Sequence, residues 1–305
     1  MPICQSMIKS RCLKQGDTFG IAAPAGSFDR KLFDSGVRIL HDMGFNTKID
    51  ERIFGHSGYL AGTDDQRTNQ LVQMIDDDQV NAIICARGGF GCLRMLPHLD
   101  FEIVQRNAKP LVGFSDITAL HQALFMRAGL VTFHGPTVTT LARSDSASWQ
   151  SMLHALTQPD PVRLDLSQAN IVQDGVAHGA FLGGNLTTLS HLIGTPFMAD
   201  LTDCVLLLEE TGEKPYRIDR MLTHLRLAGC LDALAGLVLG TFDDCGAMAE
   251  IEALVLHHFG SDQIPIVSEV SIGHGSCNLT VPLGLPAELD THNGALTFSE
   301  SAFTG

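Results

Sequence analysis

The sequence predicts an α/β protein whose N-terminal domain is built on a doubly wound, mostly parallel sheet. Apolar runs such as "NAIICARGG" and "KPLVGF" are continuous rather than alternating, which is typical of strands buried on both faces. Segments with helical periodicity, such as "DRKLFDSGVRILHDMG", separate these runs. Strands that alternate with helices favour parallel pairing, with helices on both faces of the sheet.

Each element of the first half follows from a local pattern. "TFGIAAPAG" predicts a strand that ends in a turn, and the helix after it ends at Gly44. "FNTKIDE" predicts the next strand, and "TDDQRTNQLVQMIDDD" predicts a helix capped by Thr63 or Asp64. "VNAIICARGGFG" predicts a buried strand and a glycine-rich loop. "KPLVGFSDITALHQALFMRAG" predicts a strand, a tight turn and a helix.

The second half of the chain has a different character. Residues 143–168 contain a helical pattern and then a stretch rich in Pro and Asp, which is typical of a linker. We therefore predict an N-terminal domain over 1–145, a linker over 146–168 and a C-terminal domain over 169–305. The last region has short β runs and many turns, so we expect an α+β or partly barrel-like arrangement there.

The composition limits the classes of partner. The chain has 305 residues, 45% of them hydrophobic, which is enough for two domain cores. Its net charge of −14 repels nucleic acid phosphates, and no run of Lys and Arg would bind a membrane. No stretch has the length of a signal peptide or a membrane span. Eight dispersed cysteines without a C-x-x-C pair indicate free thiols and a cytoplasmic location; they are Cys4, Cys12, Cys85, Cys92, Cys204, Cys230, Cys245 and Cys277.

Polar turns follow four of the apolar runs, at 86–91, 113–116, 206–213 and 270–276. Ligands bind at the carboxyl ends of parallel strands, so these turns are the first candidates for a site. The turn "GFSD" contains a serine in an otherwise apolar stretch. That serine is either a helix cap or a nucleophile held between a strand and a helix.

A serine nucleophile needs a base, and the base needs an acid to orient it. The chain offers these groups in the order Ser115, Glu209 or Glu210, and His274. The G-x-S-x-G pattern of a nucleophile turn is incomplete, because Ile117 stands where the second glycine belongs. From the residues alone, both interpretations of Ser115 stay open.

An oxyanion that develops at this serine would need hydrogen-bond donors aimed at it. The amide of Asp116 lies at the start of a predicted helix, where N–H groups have no partner. Gly88 and Gly89 allow a neighbouring loop to approach closely.

Six motifs resemble the LD-carboxypeptidase family of serine peptidases. They occur in the family's order and extend from about residue 16 to the last predicted strand. They are "ARGGFG", "LVGFSDITALH", "FLGGNLTTLSHLIGTPF", "LLLEETGEKPYRIDRML", "LVLGTF" and "IGHG". The resemblance implies a doubly wound N-terminal domain, a C-terminal α+β domain built around a small β-barrel, and a homodimer.

The resemblance also implies a Ser-His-Glu triad formed between the two domains. It assigns the nucleophile to Ser115, the base to His274 and the acid to Glu209, with Glu210 or Glu213 as alternatives. The same resemblance implies that the amides of two residues form the oxyanion hole, Gly89 and Asp116.

The implied reaction removes the terminal D-alanine of a murein tetrapeptide during cell-wall recycling, with a small muropeptide as substrate. The relatives that confer microcin C immunity offer an alternative, in which the same triad cleaves peptidyl nucleotides. A non-enzymatic two-domain binder is a third interpretation, against which the intact Ser, Glu and His argue.

Two further residues are candidates for substrate binding. Arg87 could bind a free carboxylate, since a guanidinium does this well, or it could pair with a nearby acid. Asn185 in "GGNL" could line the cleft or satisfy a turn. We expect no cofactor and no metal, because the pair His257 and His258 lacks E-x-x-H spacing.

Overall fold

The computed structural model describes residues 7–304. Its first half alternates strands and helices as predicted. The elements in order are β1 (Thr18–Ala22), α1 (Arg30–Asp42), β2 (Asn46–Ile49), α2 (Asp64–Asp76), β3 (Ala82–Cys85), α3 (Cys92–Met95), α4 (Phe101–Arg106), β4 (Leu111–Gly113), α5 (Thr118–Ala128), β5 (Thr132–His134), α6 (Val138–Leu141) and α7 (Ser146–Thr157). Short 3-10 turns occur at Glu51–Phe54, Leu96–His98 and Ser115–Ile117.

The second half adds a longer set of strands. The elements in order are β6 (Arg163–Asp165), β7 (Asn170–Gln173), β8 (Val176–Asn185), α8 (Leu186–Ser190), β9 (Cys204–Thr211), α9 (Pro215–Leu227), β10 (Gly236–Asp243), α10 (Met248–Phe259), β11 (Ile266–Ser268), β12 (Val281–Leu283), β13 (Pro286–Asp290) and β14 (Ala295–Phe298).

The first sheet has the strand order β12-β5-β4-β3-β1-β2. Strands β1 to β5 are all parallel, which confirms the predicted doubly wound sheet. Strand β12 comes from the second half of the chain and pairs antiparallel with β5. The carboxyl ends of β3, β4 and β5 therefore lie side by side, and the loops that follow them meet at one edge.

The second sheet has eight strands in the order β6-β14-β13-β8-β9-β10-β11-β7. Strands β8 to β11 are parallel, and the outer strands are antiparallel. The prediction of a small β-barrel is wrong, since the sheet is open between β6 and β7 within residues 7–304. Both of these edge strands are short, and their outward side chains are exposed to solvent, which fits sheet edges better than a closed barrel.

The two halves share one hydrophobic core. A single buried cluster extends from Phe19 and Phe133 on the first sheet to Phe181 and Phe298 on the second. Such a contiguous cluster makes the contact between the halves part of the folded core rather than a loose junction.

The segment 146–168 contains a packed helix. Helix α7 contributes Met152 and Leu156 to the shared core. The hydroxyls of Ser148 and Ser151 accept hydrogen bonds from the amides of Asn278 and Thr280, at 2.9 Å each. The division of the chain at residues 145 and 169 stays a prediction, but this segment packs on the first half and bonds to the second.

Other local predictions agree with the structure. Thr63 caps α2 in a capping box with Gln66. Helix α5 ends at Gly129, whose φ of 69° places it in the left-handed region. No helix within residues 7–304 is long and apolar enough to span a membrane. The seven cysteines that the structure describes are free thiols, as predicted, and Cys4 lies outside the described residues.

Candidate active site

Ser115 lies on the tight turn between β4 and α5. Its φ is +65°, in the left-handed region that costs a non-glycine residue about 1–2 kcal/mol. Helix α5 begins at Thr118, and among residues 7–304 no side chain caps it. The helix-cap interpretation of Ser115 is therefore wrong. Within the part of the chain that the structure describes, the Ser115 hydroxyl forms no hydrogen bond. A strained residue with a free hydroxyl is the arrangement expected of a functional group.

The residues around Ser115 explain why Ile117 replaces the expected glycine. A Cβ on Gly113 would lie 2.9 Å from the side chain of Ile117. The first glycine of the G-x-S-x-G pattern therefore makes room for Ile117, which stands at the position of the second. The Asp116 carboxylate fixes the other side of the turn, because it accepts a hydrogen bond of 2.8 Å from the amide of Cys92. The turn is thus tied to the first residue of α3.

The glycine-rich loop after β3 packs directly against the serine. A Cβ on Gly88 would lie 2.8 Å from the Cβ of Ser115 and 2.9 Å from its Oγ, so only glycine fits there. Gly89 has a φ of +108°. Among residues 7–304, the amides of Gly89 and Asp116 donate no hydrogen bond, so both are available to a ligand beside the serine.

His274 and Glu209 form a direct pair. His274 Nδ1 lies 2.6 Å from Glu209 Oε2, and the carboxylate is completely buried. Because an ionised carboxylate only accepts, the Nδ1 atom carries the proton and Nε2 is left to act as an acceptor. A Cβ on Gly273 would lie 2.7 Å from Glu209 Oε2, so the glycine before the histidine is required for this contact.

The histidine loop is held by partners from other parts of the chain. The amide of Gly273 donates to Asn278 Oδ1 at 2.9 Å, and the amide of Gly275 donates to Thr241 Oγ1 at 3.2 Å. The ring of Phe114, next to the serine, lies 4.7 Å from the His274 ring. The two elements that carry Ser115 and His274 are therefore in contact.

The other two candidate acids have different partners. Glu210 is buried and accepts hydrogen bonds from Asn185 Nδ2 at 2.9 Å and from the Thr187 and Thr211 amides at 2.7 and 2.9 Å. Glu213 forms an ion pair with Arg217 at 3.1 Å. Of the three carboxylates that the sequence left open, the structure brings Glu209 to His274.

The pair shifts both titrating groups. Burial alone would lower the pKa of His274, but the neighbouring Glu209 carboxylate outweighs it, and the pKa lies above its ordinary value. Burial raises the pKa of Glu209, against the lowering effect of His274. The pair thus holds a proton more firmly than a free imidazole does.

Ser115 and His274 line one cavity of about 510 Å³. Glycines of the β3 loop and threonines of the β5 loop form its walls. The charged residues among the others that line it are Asp29, Arg87 and Arg143. A larger groove of about 700 Å³ runs along α9 and includes Glu213, but it contains neither Ser115 nor His274.

Comparison with known proteins shows the family to which the chain belongs. Residues 19–135 match the model of the LD-carboxypeptidase N-terminal domain, and residues 178–289 match that of the C-terminal domain. The chain belongs to the LD-carboxypeptidase family. The resemblance found in the six motifs is confirmed, and with it the prediction of a serine-type hydrolase.

Individual members of the LD-carboxypeptidase family match over nearly their full length. A probable murein peptide carboxypeptidase of Bacillus subtilis is 36% identical over 298 residues, covering 93% of this chain and 92% of the relative. The microcin C7 self-immunity protein of Escherichia coli is 25% identical over 331 residues, with 94% of each chain covered. The crystal structure of a muramoyltetrapeptide carboxypeptidase from Oxalobacter formigenes has a TM-score of 0.82 and 29% identity, covering 93% of this chain and 99% of that one.

Within this LD-carboxypeptidase, the predicted binding residues have different positions. Arg87 lines the cavity and donates to the carbonyl oxygen of Ser27 at 2.6 Å. Asn185 does not line the cavity. It caps α8 by accepting from the Thr188 amide at 3.0 Å, and its amide group donates to Glu210. Asn185 could line the cleft or satisfy a turn, and these contacts match the second interpretation.

Sequence reasoning missed the β5 loop of this LD-carboxypeptidase. The segment "PTVTTLAR" contributes Thr137, Thr139, Thr140 and Arg143 to the cavity. The rule that ligands bind at the carboxyl ends of parallel strands applies to β5 as it does to β3 and β4, so this signal was present.

Proposed function

We propose that this chain is a carboxypeptidase that cleaves the bond before the terminal D-alanine of a murein tetrapeptide. The observation that carries the proposal is the contact of His274 Nδ1 with the buried Glu209, in the cavity that also contains Ser115. These are the nucleophile, base and orienting acid of a serine hydrolase.

In the first step, the hydroxyl of Ser115 attacks the carbonyl carbon of the scissile bond. His274 Nε2 takes the hydroxyl proton, and Glu209 stabilises the imidazolium that forms. The amides of Gly89 and Asp116 donate hydrogen bonds to the developing oxyanion. Their availability among residues 7–304 and the strained turn at Ser115 support these roles.

In the second step, the tetrahedral intermediate collapses and expels D-alanine. His274 gives its proton to the leaving amine, and the tripeptide stays bound to Ser115 as an ester. A water molecule then attacks the ester, with His274 as the base, and releases the tripeptide and the free serine. The raised pKa of His274 suits its role as the base that takes the proton of the serine hydroxyl in the first step.

The choice of a murein peptide rests on the relatives and on the charge of the cavity. The printed names of the B. subtilis and O. formigenes proteins concern murein peptides and muramoyltetrapeptides. Such a peptide carries several carboxylates, and Arg87 offers a guanidinium in the cavity, next to the glycine-rich loop that contains Gly89.

The test is mass spectrometry of L-Ala-γ-D-Glu-meso-diaminopimelate-D-Ala after incubation with the protein. We expect loss of one alanine with the wild type and none with Ser115→Ala. The same peptide ending in L-Ala serves as the matched substrate control and should stay intact. Equal alanine release by wild type and Ser115→Ala would refute the mechanism.

The alternative is an activity on peptidyl nucleotides, favoured by the similarity to the microcin C7 self-immunity protein. A base-stacking aromatic would be expected in such a pocket. Trp149, Tyr59 and Tyr216 do not line the cavity, and Phe114 packs on His274. An aminoacyl sulfamoyl adenosine, tested beside the tetrapeptide, distinguishes the two substrates by which one releases its acyl product.

Two further parts of the proposal come from the family resemblance. We place the enzyme in the cytoplasm, on muropeptides returned during wall recycling, and we expect a homodimer. Sedimentation of the purified protein tests the second expectation, and cell fractionation tests the first.

A further inference from the structure

One charged side chain in the cavity has no part in the mechanism above. Arg143 is exposed and lines the cavity, and within residues 7–304 its guanidinium forms no ion pair and no hydrogen bond. Asp29 is the carboxylate that lines the same cavity, and it accepts from the Leu32 amide at 2.9 Å as the cap of α1. A chain with a net charge of −14 thus places two arginines against one acid in its cavity.

The backbone fixes which wall Arg143 occupies. At one end of its segment, the Thr139 amide donates to the carbonyl of Ala86 at 3.0 Å, next to the glycine-rich loop. At the other end, the Asp145 amide donates to the carbonyl of Ser276 at 3.1 Å, two residues beyond His274. Arg143 therefore lies on the side of the histidine loop, whereas Arg87 lies on the side of the glycine-rich loop that contains Gly89.

The histidine side is the side of the leaving group, because His274 must reach the leaving amine to protonate it. In a C-terminal residue, the free carboxylate is joined to that amine through a single Cα, about 2.5 Å away by covalent geometry. A guanidinium on this wall meets a planar carboxylate that it can bind with two parallel hydrogen bonds.

We propose that Arg143 binds the free carboxylate of the C-terminal residue that the enzyme releases. The inference rests on the proposed carboxypeptidase function and adds the residue that restricts cleavage to chain ends. A peptide extended beyond this position would place an uncharged amide against the unpaired guanidinium, and its binding would lose the charge-assisted contact.

The experiment compares the tetrapeptide with its C-terminal amide, D-Ala-NH₂. We expect wild type to prefer the acid in kcat/KM by about 10- to 100-fold, the usual range for one charge-assisted hydrogen-bond pair. Arg143→Ala should lose this factor on the acid and keep the wild-type rate on the amide. Arg143→Lys should recover part of the preference. Arg106→Ala, an exposed charge change on α4 outside the cavity, should behave as wild type.

A binding assay separates this inference from the proposed function. Calorimetry on Ser115→Ala, with and without Arg143→Ala, measures the affinity for acid and amide without turnover. If wild type leaves the tetrapeptide intact but Ser115→Ala binds the acid through Arg143, the proposed function fails and the carboxylate site stands. If wild type cleaves the tetrapeptide and Arg143→Ala affects acid and amide equally, the inference is overturned and the proposed function stands. No preference for the acid in either assay also overturns it.

Discussion

The serine turn and the histidine loop reach the same cavity by different means. The turn at 113–118 takes its shape from close neighbours, such as Gly113 against Ile117, and from the adjacent loop of Gly88. The loop at 273–278 depends on partners far along the chain. Its contacts with Thr241, Glu209 and Ser148 are separated by 34, 65 and 130 positions. The turn of Ser115 is thus a local feature of the first sheet, whereas the position of His274 depends on how the two halves pack.

The largest effect should come from the serine turn, where chemistry and strain coincide. Ser115→Ala removes the proposed nucleophile and should lower kcat by about 10⁴- to 10⁶-fold, as for other serine hydrolases. Ser115→Gly should be equally inactive but more stable than Ser115→Ala by about 1 kcal/mol, because glycine adopts a φ of +65° without strain.

Thermal unfolding of the two variants measures this difference, and peptide turnover measures the loss of activity. Equal stability of the two variants would show that the turn stores no strain. Local backbone strain would then not distinguish the serine turn from the histidine loop.

On the histidine side, Glu209→Gln should lower kcat/KM by about 10²- to 10⁴-fold, because the imidazolium loses its stabilising charge. The matched control is Glu210→Gln, on the next residue of β9. Glu210 is as buried as Glu209 but bonds to neutral N–H donors instead of the histidine. It should keep most of the activity and lose stability, by about 1–3 kcal/mol, because an amide cannot accept from all three donors.

The pH dependence of kcat/KM tests the contact of His274 with Glu209 through the direction in which its acidic limb shifts. His274 must be neutral to act as the proposed base, so kcat/KM should rise with pH through its pKa, which in wild type lies above its ordinary value of 6.5. Glu209→Gln removes the charge that raises this pKa and leaves the burial that lowers it, so the acidic limb should move to lower pH. The shift in Glu210→Gln should be smaller, since Glu210 contributes less to the rise. If the acidic limb of Glu209→Gln stayed at the wild-type pH, the titrating group seen in kcat/KM would not be His274.

Gly88→Ala tests the contact between the glycine loop and the serine. The added Cβ would lie 2.8 Å from the Cβ of Ser115, so one of the two loops must move. A displacement of about 1 Å at the proposed oxyanion donors should cost about 10²-fold in kcat. Gly194→Ala, at φ +80° with open space around its Cβ, controls for the substitution and should change stability only. Comparable activity of Gly88→Ala and wild type would place the oxyanion donors elsewhere.

The serine turn depends on nearby residues and the histidine loop on distant ones, and this difference determines how much of each the sequence could predict. The strands of the first half, the Thr63 cap and the position of Ser115 on a strand-to-helix turn depend on local patterns, and all were predictable. The residues alone left Glu209 and Glu210 open, and only the family resemblance favoured Glu209, because the contact with His274 depends on which carboxylate faces its loop across β10. Nothing within a few residues of either acid distinguishes them.

The barrel was wrong, whereas the linker over 146–168 stays a prediction; both depend on long-range contacts that a local sequence pattern does not contain. Short β runs in a sequence do not show whether their sheet closes into a barrel. Closure would require pairing between β6 and β7, and these two strands do not pair within residues 7–304. The Pro- and Asp-rich residues after Gln158 predicted a linker, but α7 before them is anchored to the histidine loop through Ser148. A hydrogen bond that spans 130 positions leaves no trace in a local pattern.

The smallest effect should come from Ser148→Ala, which reaches the histidine loop only through the backbone. The Ser148 hydroxyl accepts from the Asn278 amide and donates to Asp145 Oδ1 at 2.9 Å, and Asn278 in turn accepts from Gly273. Losing the hydroxyl leaves a buried amide without its partner, so we expect a stability loss of about 1–3 kcal/mol. The activity should fall by about threefold at most, since the contact of His274 with Glu209 stays in place. Ser151→Ala removes the equivalent bond to Thr280, six residues beyond the histidine, and should lose stability without any change in kcat. If Ser148→Ala instead lowered kcat as much as Glu209→Gln, the backbone contact through Asn278 would be as important for the position of His274 as its contact with Glu209.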